Sequence, residues 1–476
     1  MAGPRPGARA RAAAAPARPR GPLAPPRPPE LRPVQRAAAA VPPRARRLGD
    51  RLLRRRRARG GVGRGPVPVR PPVSARRLRI LYAAPGHALA PTAGTARNVL
   101  ALAAALAPRA EVALAFRRVP AHAAPGHRVL AIEPTAGPAD TRDDVAARGL
   151  SPLAHLASLR RLEAFARRWA PAFDVVLEKG WRLSGALAAA FARYGVPGVL
   201  VENDARVWAE PVRDLRALLR WTAHLGAARL VRRWARRFPV IAETEELQAL
   251  LVARRGVDPA QVTVVELGVD HAHFHPRDRA AARAALGFDP TALLLLYVGG
   301  LDWYHDLRPP IEALAAVGGA AELHVVGDGV RGEEYRALAR RAGARVRFHG
   351  PVDHARVPWH IAAADLCLAP YRERAFPGGV LPFATLKVAE YMACARPVAS
   401  VPSGRLLRLV EPGISGFLLP NAREAWTSLL ATLPARDRLD EMGRAAAKAV
   451  EGLSWEDTAR GYLEVCARAV EEASGR

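Results

Sequence analysis

The stretch PFATLKVAEYMACARPVASV, from Pro382 to Val401, sets one carboxylate, Glu390, in an otherwise apolar helix that leads into a strand. Spacing puts Glu390 on one stripe with Leu386, Ala389 and Ala393, and Thr385 stands where a helix cap belongs. An acid on such a stripe is desolvated unless it meets donors. Sugar or ribose hydroxyls are donors of the right kind, because an ionised carboxylate accepts two strong hydrogen bonds. A local pair with Lys387 would satisfy the acid as well, and these residues alone do not choose between the two. In YVGGLDWYHDLRPPIEAL, Gly299 and Gly300 follow an apolar run and precede a helix, and VVGDGVRGEEY repeats the device at Gly327 and Gly329. Such glycines let backbone approach a phosphate near a helix N-terminus, and they also make ordinary turns. LEKGWRLSGA carries Glu178 and Lys179 at a strand end, either as contacts for an acceptor in a cleft or as a capped strand end. HAHFH puts His271, His273 and His275 on one side of an extended chain, but no Asp or Cys cluster accompanies them and no metal is expected.

These residues need elements to hold them. From Leu78 onward, short runs rich in Val, Ile and Leu alternate with Ala/Arg/Leu segments of helical period, the rhythm of a parallel sheet covered on both faces. Candidate strands are LRILYAAPG, EVALAFR, HRVLAIE, DVVLEKG, PGVLVEND, FPVIAETE and VTVVELGVD, then LLLLYVGG, ELHVVGDG, RVRFHG, DLCLAP, RPVASV and GFLLP. The polar, proline-bearing HAHFHPRDRAAARAALGFDP separates the two series and reads as a connector. The expected organisation is an arm over 1–77, one α/β domain over 78–275, a second over 276–424, and closing helices over 425–476. Two doubly wound domains would face each other across a cleft at the carboxyl ends of their strands.

The net charge of +28 over 476 residues invites a nucleic-acid reading, so its location matters. Residues 1–77 hold 21 Arg, no Lys, and only Glu30 and Asp50 as acids, a net +19 that leaves +9 for the rest. The arm is nearly pure Arg, Ala, Pro and Gly, too poor in large apolar residues to offset the entropy of ordering, and disorder is expected there. It reads as a solvated tail, as a start codon placed too far upstream, or as a contact for anionic membrane or nucleic acid. No run of 18 apolar residues suggests a membrane span. Three cysteines, Cys367, Cys394 and Cys466, form no close pair, which fits a reducing cytosol. A cytoplasmic protein is expected. Peripheral membrane contact is open through LRALLRWTAHLGAARLVRRWARRF, where Trp and Leu interleave with Arg; the other reading is a solvated helix.

From about Leu78 to Ala469 the chain resembles a retaining glycosyltransferase of the GT-B fold, family 4. The resemblance rests on YVGGLDWYHDLRPPIEAL, LHVVGDGVRGEEYRALA, VRFHGPV, AADLCLAPY and LKVAEYMACARPVAS in order, with TVVELGVDHAHFHP leaving the first domain and LSWEDTARGYLEV closing the chain. It implies transfer of a sugar from a nucleotide-diphosphate donor to a saccharide, lipid-linked or small-molecule acceptor, with anomeric configuration kept. It implies an acceptor-side first domain, a nucleotide-sugar-binding second domain, and closing helices that pack back on the first; it implies no cofactor and no metal beyond the donor as co-substrate. By position, Glu390 matches the glutamate that holds the donor's ribose. Thr385 and Leu386 match the helix start facing the donor's phosphate and sugar, and Gly94 matches a first-domain glycine loop reaching across the cleft. Gly299, Gly300 and His305 fall on the donor-side loop.

Departures from the family pattern are as informative. The family's first glutamate is Pro382 here, the arginine of its loop is Gly300, its lysine is His305, and its proline-asparagine pair is Glu266 and Leu267. Charge for the diphosphate would then come from Lys387 or Arg308, the candidate catalytic residues. The competing reading is a catalytically silent GT-B protein that binds a nucleotide sugar or a protein partner; nucleic acid is not expected as a partner.

Overall fold

The computed structural model describes residues 77–89, 94–120, 127–133, 152–203, 215–319 and 321–475, the side chains of 95, 152–155 and 215–224 aside. The expected arm over 1–77 lies outside them but for Arg77.

All thirteen apolar runs form strands. Seven build one parallel sheet: β1 (Leu78–Ala88), β2 (Ala110–Arg118), β3 (Arg128–Ala131), β4 (Val175–Lys179), β5 (Gly198–Glu202), β6 (Val240–Ala242) and β7 (Val262–Val264), in the order β3-β2-β1-β4-β5-β6-β7. Six build a second: β8 (Leu293–Val298), β9 (Ala321–Val326), β10 (Val346–Gly350), β11 (Leu366–Ala369), β12 (Val398–Ser400) and β13 (Gly416–Leu418), in the order β10-β9-β8-β11-β12-β13. The runs read continuously apolar because both faces are covered; β4 and β5 are buried along their whole length. In each sheet the order reverses beside its first strand, at β1/β4 and β8/β11, the switch points where such folds leave a crevice.

The described helices of the first half are α1 (Gly94–Leu106), α2 (Pro152–Trp169), α3 (Ala186–Ala192), α4 (Leu215–Ala235) and α5 (Glu245–Arg255). Those of the second are α6 (Arg279–Leu286), α7 (Arg308–Val317), α8 (Gly332–Ala342), α9 (Val357–Ala363), α10 (Leu386–Ala393), α11 (Leu406–Leu409), α12 (Arg423–Ala431), α13 (Arg436–Val450) and α14 (Trp455–Ser474). Asp365, fully buried at the head of β11, binds the second half together: it accepts from Arg283 Nη2 of α6 at 2.7 Å, from Leu294 N of β8 at 2.8 Å and from Arg436 Nε of α13 at 2.9 Å. A carboxylate with so many charge-assisted donors tolerates burial that a lone one would not.

Of the closing segment 425–476 only α14 crosses back. Ala446 and Val450 of α13 belong to the core of the second sheet, whereas Trp455, Tyr462, Val465 and Val470 of α14 share a core with Ile80, Tyr82 and Val99. The crossing is sewn to the strand leaving the first sheet: Val269 N donates to Leu453 O at 3.0 Å and Thr458 Oγ1 to Glu266 O at 2.8 Å. Gly268 is required there, since a Cβ would meet the Ser454 carbonyl carbon at 2.1 Å. The two sheets are also clasped beside the cleft, where Arg405 pairs with Glu266 at 3.0 Å and Arg408 with Glu246 at 2.6 Å.

All three cysteines are buried and unpaired. No described helix is long and apolar enough to cross a membrane. In α4, Ala227, Val231 and Ala235 are buried while Arg229, Leu230, Arg232 and Arg233 face outward.

Candidate active site

The second sheet's switch point carries the site. Strand β8 ends in Gly299 and Gly300, the following loop brings His305 into a backbone bridge with Tyr371 just after β11, and α10 starts beside them. From α10, Lys387 turns into the space between. Its Nζ donates to Tyr297 Oη at 3.0 Å and to His305 Nε2 at 3.1 Å, and lies 4.3 Å from the centre of the Tyr297 ring. Gly299 leaves that space open: a Cβ there would sit 2.6 Å from Lys387 Nζ, and the backbone has φ +140°.

Lys387 and Glu390 are half-buried, surrounded by protein yet still touched by solvent. Burial pulls the Lys387 ammonium down to about 7, with Asp302 and Glu390 opposing. Burial also lifts the Glu390 carboxyl above its usual range, against the pull of Arg97 and Lys387. His305 is held neutral, far below the ordinary histidine value, by burial and by the Lys387 charge. The imidazole therefore accepts from lysine at Nε2 and carries its proton on Nδ1, which faces Asp302 Oδ2 at 4.0 Å.

The Glu390 carboxylate makes no hydrogen bond or ion pair among the described residues, so the local pair with Lys387 does not form. Its carboxylate is left without a partner one turn into α10. Thr385 is a correction: with φ −91° and ψ 76° its side chain does not cap α10, and its hydroxyl is buried without a hydrogen-bond partner. The amides of Leu386 and Lys387 open the helix beside it. One open carboxylate, one ammonium, one idle hydroxyl and a helix N-terminus thus converge. An aromatic wall closes one side: Tyr304, Phe376 and Phe383 stand with ring centres 5.3–5.9 Å apart, and Trp303 packs on Phe376.

Other expected residues lie elsewhere. Arg308, at the first position of α7, points to Glu334 at 2.7 Å and Glu312 at 3.8 Å and does not join Lys387. Glu178 is fully buried and works as a cap for α3, accepting from Gly185 N at 3.0 Å, Ala188 N at 2.8 Å and Trp181 Nε1 at 2.7 Å. Burial raises its carboxyl to about 7 against those donors. Lys179 is buried against Glu243 at 2.7 Å, so neither side chain faces the cleft. Gly327 and Gly329 lie against the chain's own backbone: Cβ atoms there would meet Gly299 O at 2.1 Å and Leu301 N at 2.6 Å. His271, His273 and His275 each engage a different carbonyl, those of Leu453, His354 and Pro276. No group of three His, Cys, Asp or Glu among the described residues could hold a metal.

Gly94 opens α1 with nothing near its Cβ position. One turn further on stands a residue the sequence reading passed over. The Arg97 guanidinium makes no hydrogen bond or ion pair among the described residues, yet its charge bears on Lys387, Glu390 and His354, all from the second half. The signal available was position alone, the first cation after the glycine that reaches the cleft. Pro382 stands where the resemblance implies a glutamate; its carbonyl accepts from Thr244 Oγ1 at 2.7 Å, another contact between the two halves.

Two family models match the chain, Glycosyltransferase Family 4 over residues 92–273 and Glycosyl transferases group 1 over 292–434, and between them they take in most of both sheets. The chain belongs to glycosyltransferase family 4. D-inositol 3-phosphate glycosyltransferase of Mycolicibacterium gilvum is 33% identical over 241 residues, 48% of this chain and 52% of that protein. The chain spans about half the length of the curated relatives it matches. Sucrose-phosphate synthase of Thermosynechococcus elongatus superposes with TM-score 0.61 at 22% identity, covering 82% of this chain and 98% of the other. HepE of Anabaena, solved in complex with UDP-glucose, does so with TM-score 0.60 at 19% identity, covering 84% and 100%. These superpositions show the GT-B fold.

The loop after β8 offers Gly300 and His305 where the resemblance led one to expect arginine and lysine, and Lys387 from α10 now contacts His305 itself. Gly299→Ala is a direct probe of that arrangement. The new methyl displaces the ammonium and imposes a strained φ, so turnover is expected to fall at least about tenfold with a Tm loss of a few degrees. Steady-state rates and a melting curve check it; unchanged rates would mean Lys387 does not need its seat.

Proposed function

We propose that this chain transfers a glycosyl group from a nucleotide-diphosphate sugar to an acceptor hydroxyl with retention of configuration and without a metal. The observation that carries the reading is the unpaired Glu390 carboxylate beside the Lys387 ammonium and the start of α10, at the switch point of the second sheet. Glu390 accepts the ribose hydroxyls. Lys387, Arg97 and the first amides of α10 stabilise the diphosphate as its bond to the anomeric carbon breaks, and the acceptor oxygen attacks from the same face. Charge on fixed groups in a partly desolvated cleft does here what a divalent cation does elsewhere.

The acceptor is a saccharide, a lipid-linked saccharide or a small molecule bound on the first sheet's side. A lipid-linked acceptor accords with the outward Arg229, Leu230, Arg232 and Arg233 of α4, which would lie on an anionic membrane; the protein would then be cytoplasmic and membrane-peripheral. The second reading, a silent binder of nucleotide sugar, is favoured by the Pro382 carbonyl being held by Thr244 where the family places a glutamate.

Thermal unfolding of the full chain with UDP, GDP, ADP and their common sugar conjugates, beside Glu390→Ala, tests the reading. One nucleotide is expected to raise Tm, by the equivalent of about 2.7 kcal/mol at a hundred times its Kd, and the substitution to abolish the effect. Binding without turnover over a panel of acceptors would favour the silent reading. No shift with any nucleotide would remove both.

A further inference from the structure

On the outer edge of the second sheet, among residues that take no part in the cleft, lies a cavity of about 300 Å³. That volume is at the lower end of what small-ligand sites occupy. Edge strand β10 supplies Arg347 and His349, the turn before α9 supplies Arg356, α9 supplies His360, and Phe288 and Val352 provide apolar wall. Behind them runs a fixed chain of hydrogen bonds. His349 Nε2 lies 3.2 Å from His324 Nδ1, and His324 Nε2 lies 3.3 Å from the buried Glu322. Glu322 fixes the proton of His324 on Nε2, so His349 donates from Nε2 and its Nδ1 is left to accept or to be protonated.

The electrostatic balance at this edge is positive. Glu322 is the one acid in the relay, and Arg345 and Arg347 both pair with it, the latter at 3.2 Å. The Arg356 guanidinium makes no hydrogen bond or ion pair among the described residues. Asp353, three residues before it, caps its own turn by accepting from Ala355 N at 3.0 Å. His360 is 4% exposed, lines the cavity, and has its Nδ1 buried without a hydrogen-bond partner. A buried ring nitrogen without a partner costs free energy that a ligand atom would recover. Burial, with His349 and Arg356 next in effect, holds His360 down at about 4. An anion in the cavity would offset the effect of those two neighbouring charges.

We infer that this cavity binds a small oxyanion-bearing ligand, a phosphate or phosphomonoester, with Arg356 and Arg347 meeting its charge and His360 and His349 its remaining oxygens. The site is independent of the donor site and of the reaction proposed for it. A phosphate group suits it better than a large anion because the volume is small and the donors come from two sides.

Thermal unfolding and calorimetric titration of the full chain with inorganic phosphate, glycerol 3-phosphate and citrate, against sodium chloride at equal ionic strength, tests the inference. Phosphate or glycerol 3-phosphate is expected to raise Tm beyond the salt control, and Arg356→Ala to weaken that ligand at least about tenfold, the loss of one charge-assisted contact. The shift produced by the nucleotide that fits the cleft should survive Arg356→Ala unchanged. Inorganic phosphate binding as tightly as glycerol 3-phosphate would identify free phosphate as sufficient; a preference for the ester would assign the site to a phosphorylated metabolite. A phosphate effect kept by Arg356→Ala and lost by Lys387→Met would place the ion in the cleft and overturn the inference, as would the absence of any effect beyond salt. Ring nitrogen shifts of His349 and His360 in an NMR titration locate the ligand without relying on activity.

Discussion

Glu390→Gln is expected to lower kcat/KM for the nucleotide sugar by about a hundredfold while leaving the empty protein as stable as before or more so. The argument has two halves. A carboxylate that accepts two hydroxyls does so with charge-assisted bonds of about 1.5–3 kcal/mol each, and the amide replaces one acceptor by a donor. Loss of much of that energy is a loss of about two orders of magnitude. The stability half follows from what the acid lacks without a ligand: Glu390 has no partner among the described residues, and burial raises its carboxyl. The folded chain therefore holds that proton more tightly than the unfolded one, so stability falls as pH rises above the unfolded carboxyl value, and an uncharged side chain removes the penalty. Initial rates, donor binding by calorimetry and a melting curve at neutral pH measure both halves. Donor affinity unchanged by the substitution would show that the ribose is held elsewhere and would take Glu390 out of the site.

The contrast between Glu390 and Glu178 shows which parts of such a site can be read from sequence. Both are acids in apolar surroundings. An acid midway along an apolar helical stripe has few local ways to be satisfied, so the sequence marks Glu390 as an anomaly that needs a partner from outside. An acid at a strand end has the first amides of the next helix within reach, and Glu178 meets Gly185 and Ala188 in that way. The two situations look alike in the chain until the turn is folded. The strands were legible for a simpler reason: a parallel strand buried on both faces must be apolar at nearly every position, and that run needs no knowledge of its neighbours. Charges reaching across space were not legible. Arg308 finds Glu334 twenty-six residues away, and Arg97 bears on Glu390 from the other sheet's helix. No periodicity carries such pairings. The expected cap at Thr385 fails for a local reason, since a cap requires extended backbone and ψ there is 76°.

Lys387→Met is expected to reduce kcat by about two to three orders of magnitude and at the same time to raise Tm. The lysine contacts His305 of the loop after β8, and removal of one preorganised positive or hydrogen-bonding group from a developing negative charge typically costs about 10²–10³ in rate. Its ammonium is pulled down to about 7 by burial, against a usual 10.5. Between those values the folded chain carries fewer protons than the unfolded chain, so its stability rises with pH across that window, and at neutral pH the buried ammonium is a liability. Methionine fills the same length of side chain without that liability, so the variant melts higher and loses the slope. The same titration sets the rate profile: for the free enzyme kcat/KM should fall as pH rises through about 7, because the ammonium form is the one that meets the diphosphate, and the methionine variant should be flat there. A wild-type profile without that fall, or a variant that keeps its rate, would show that the diphosphate is met by Arg97 and the helix start alone. A variant that loses both rate and stability would instead mark Lys387 as a strut for Tyr297 and His305, which it touches at 3.0 and 3.1 Å. The separation of rate from stability, in opposite directions, is what a charge kept in a costly place for catalysis predicts.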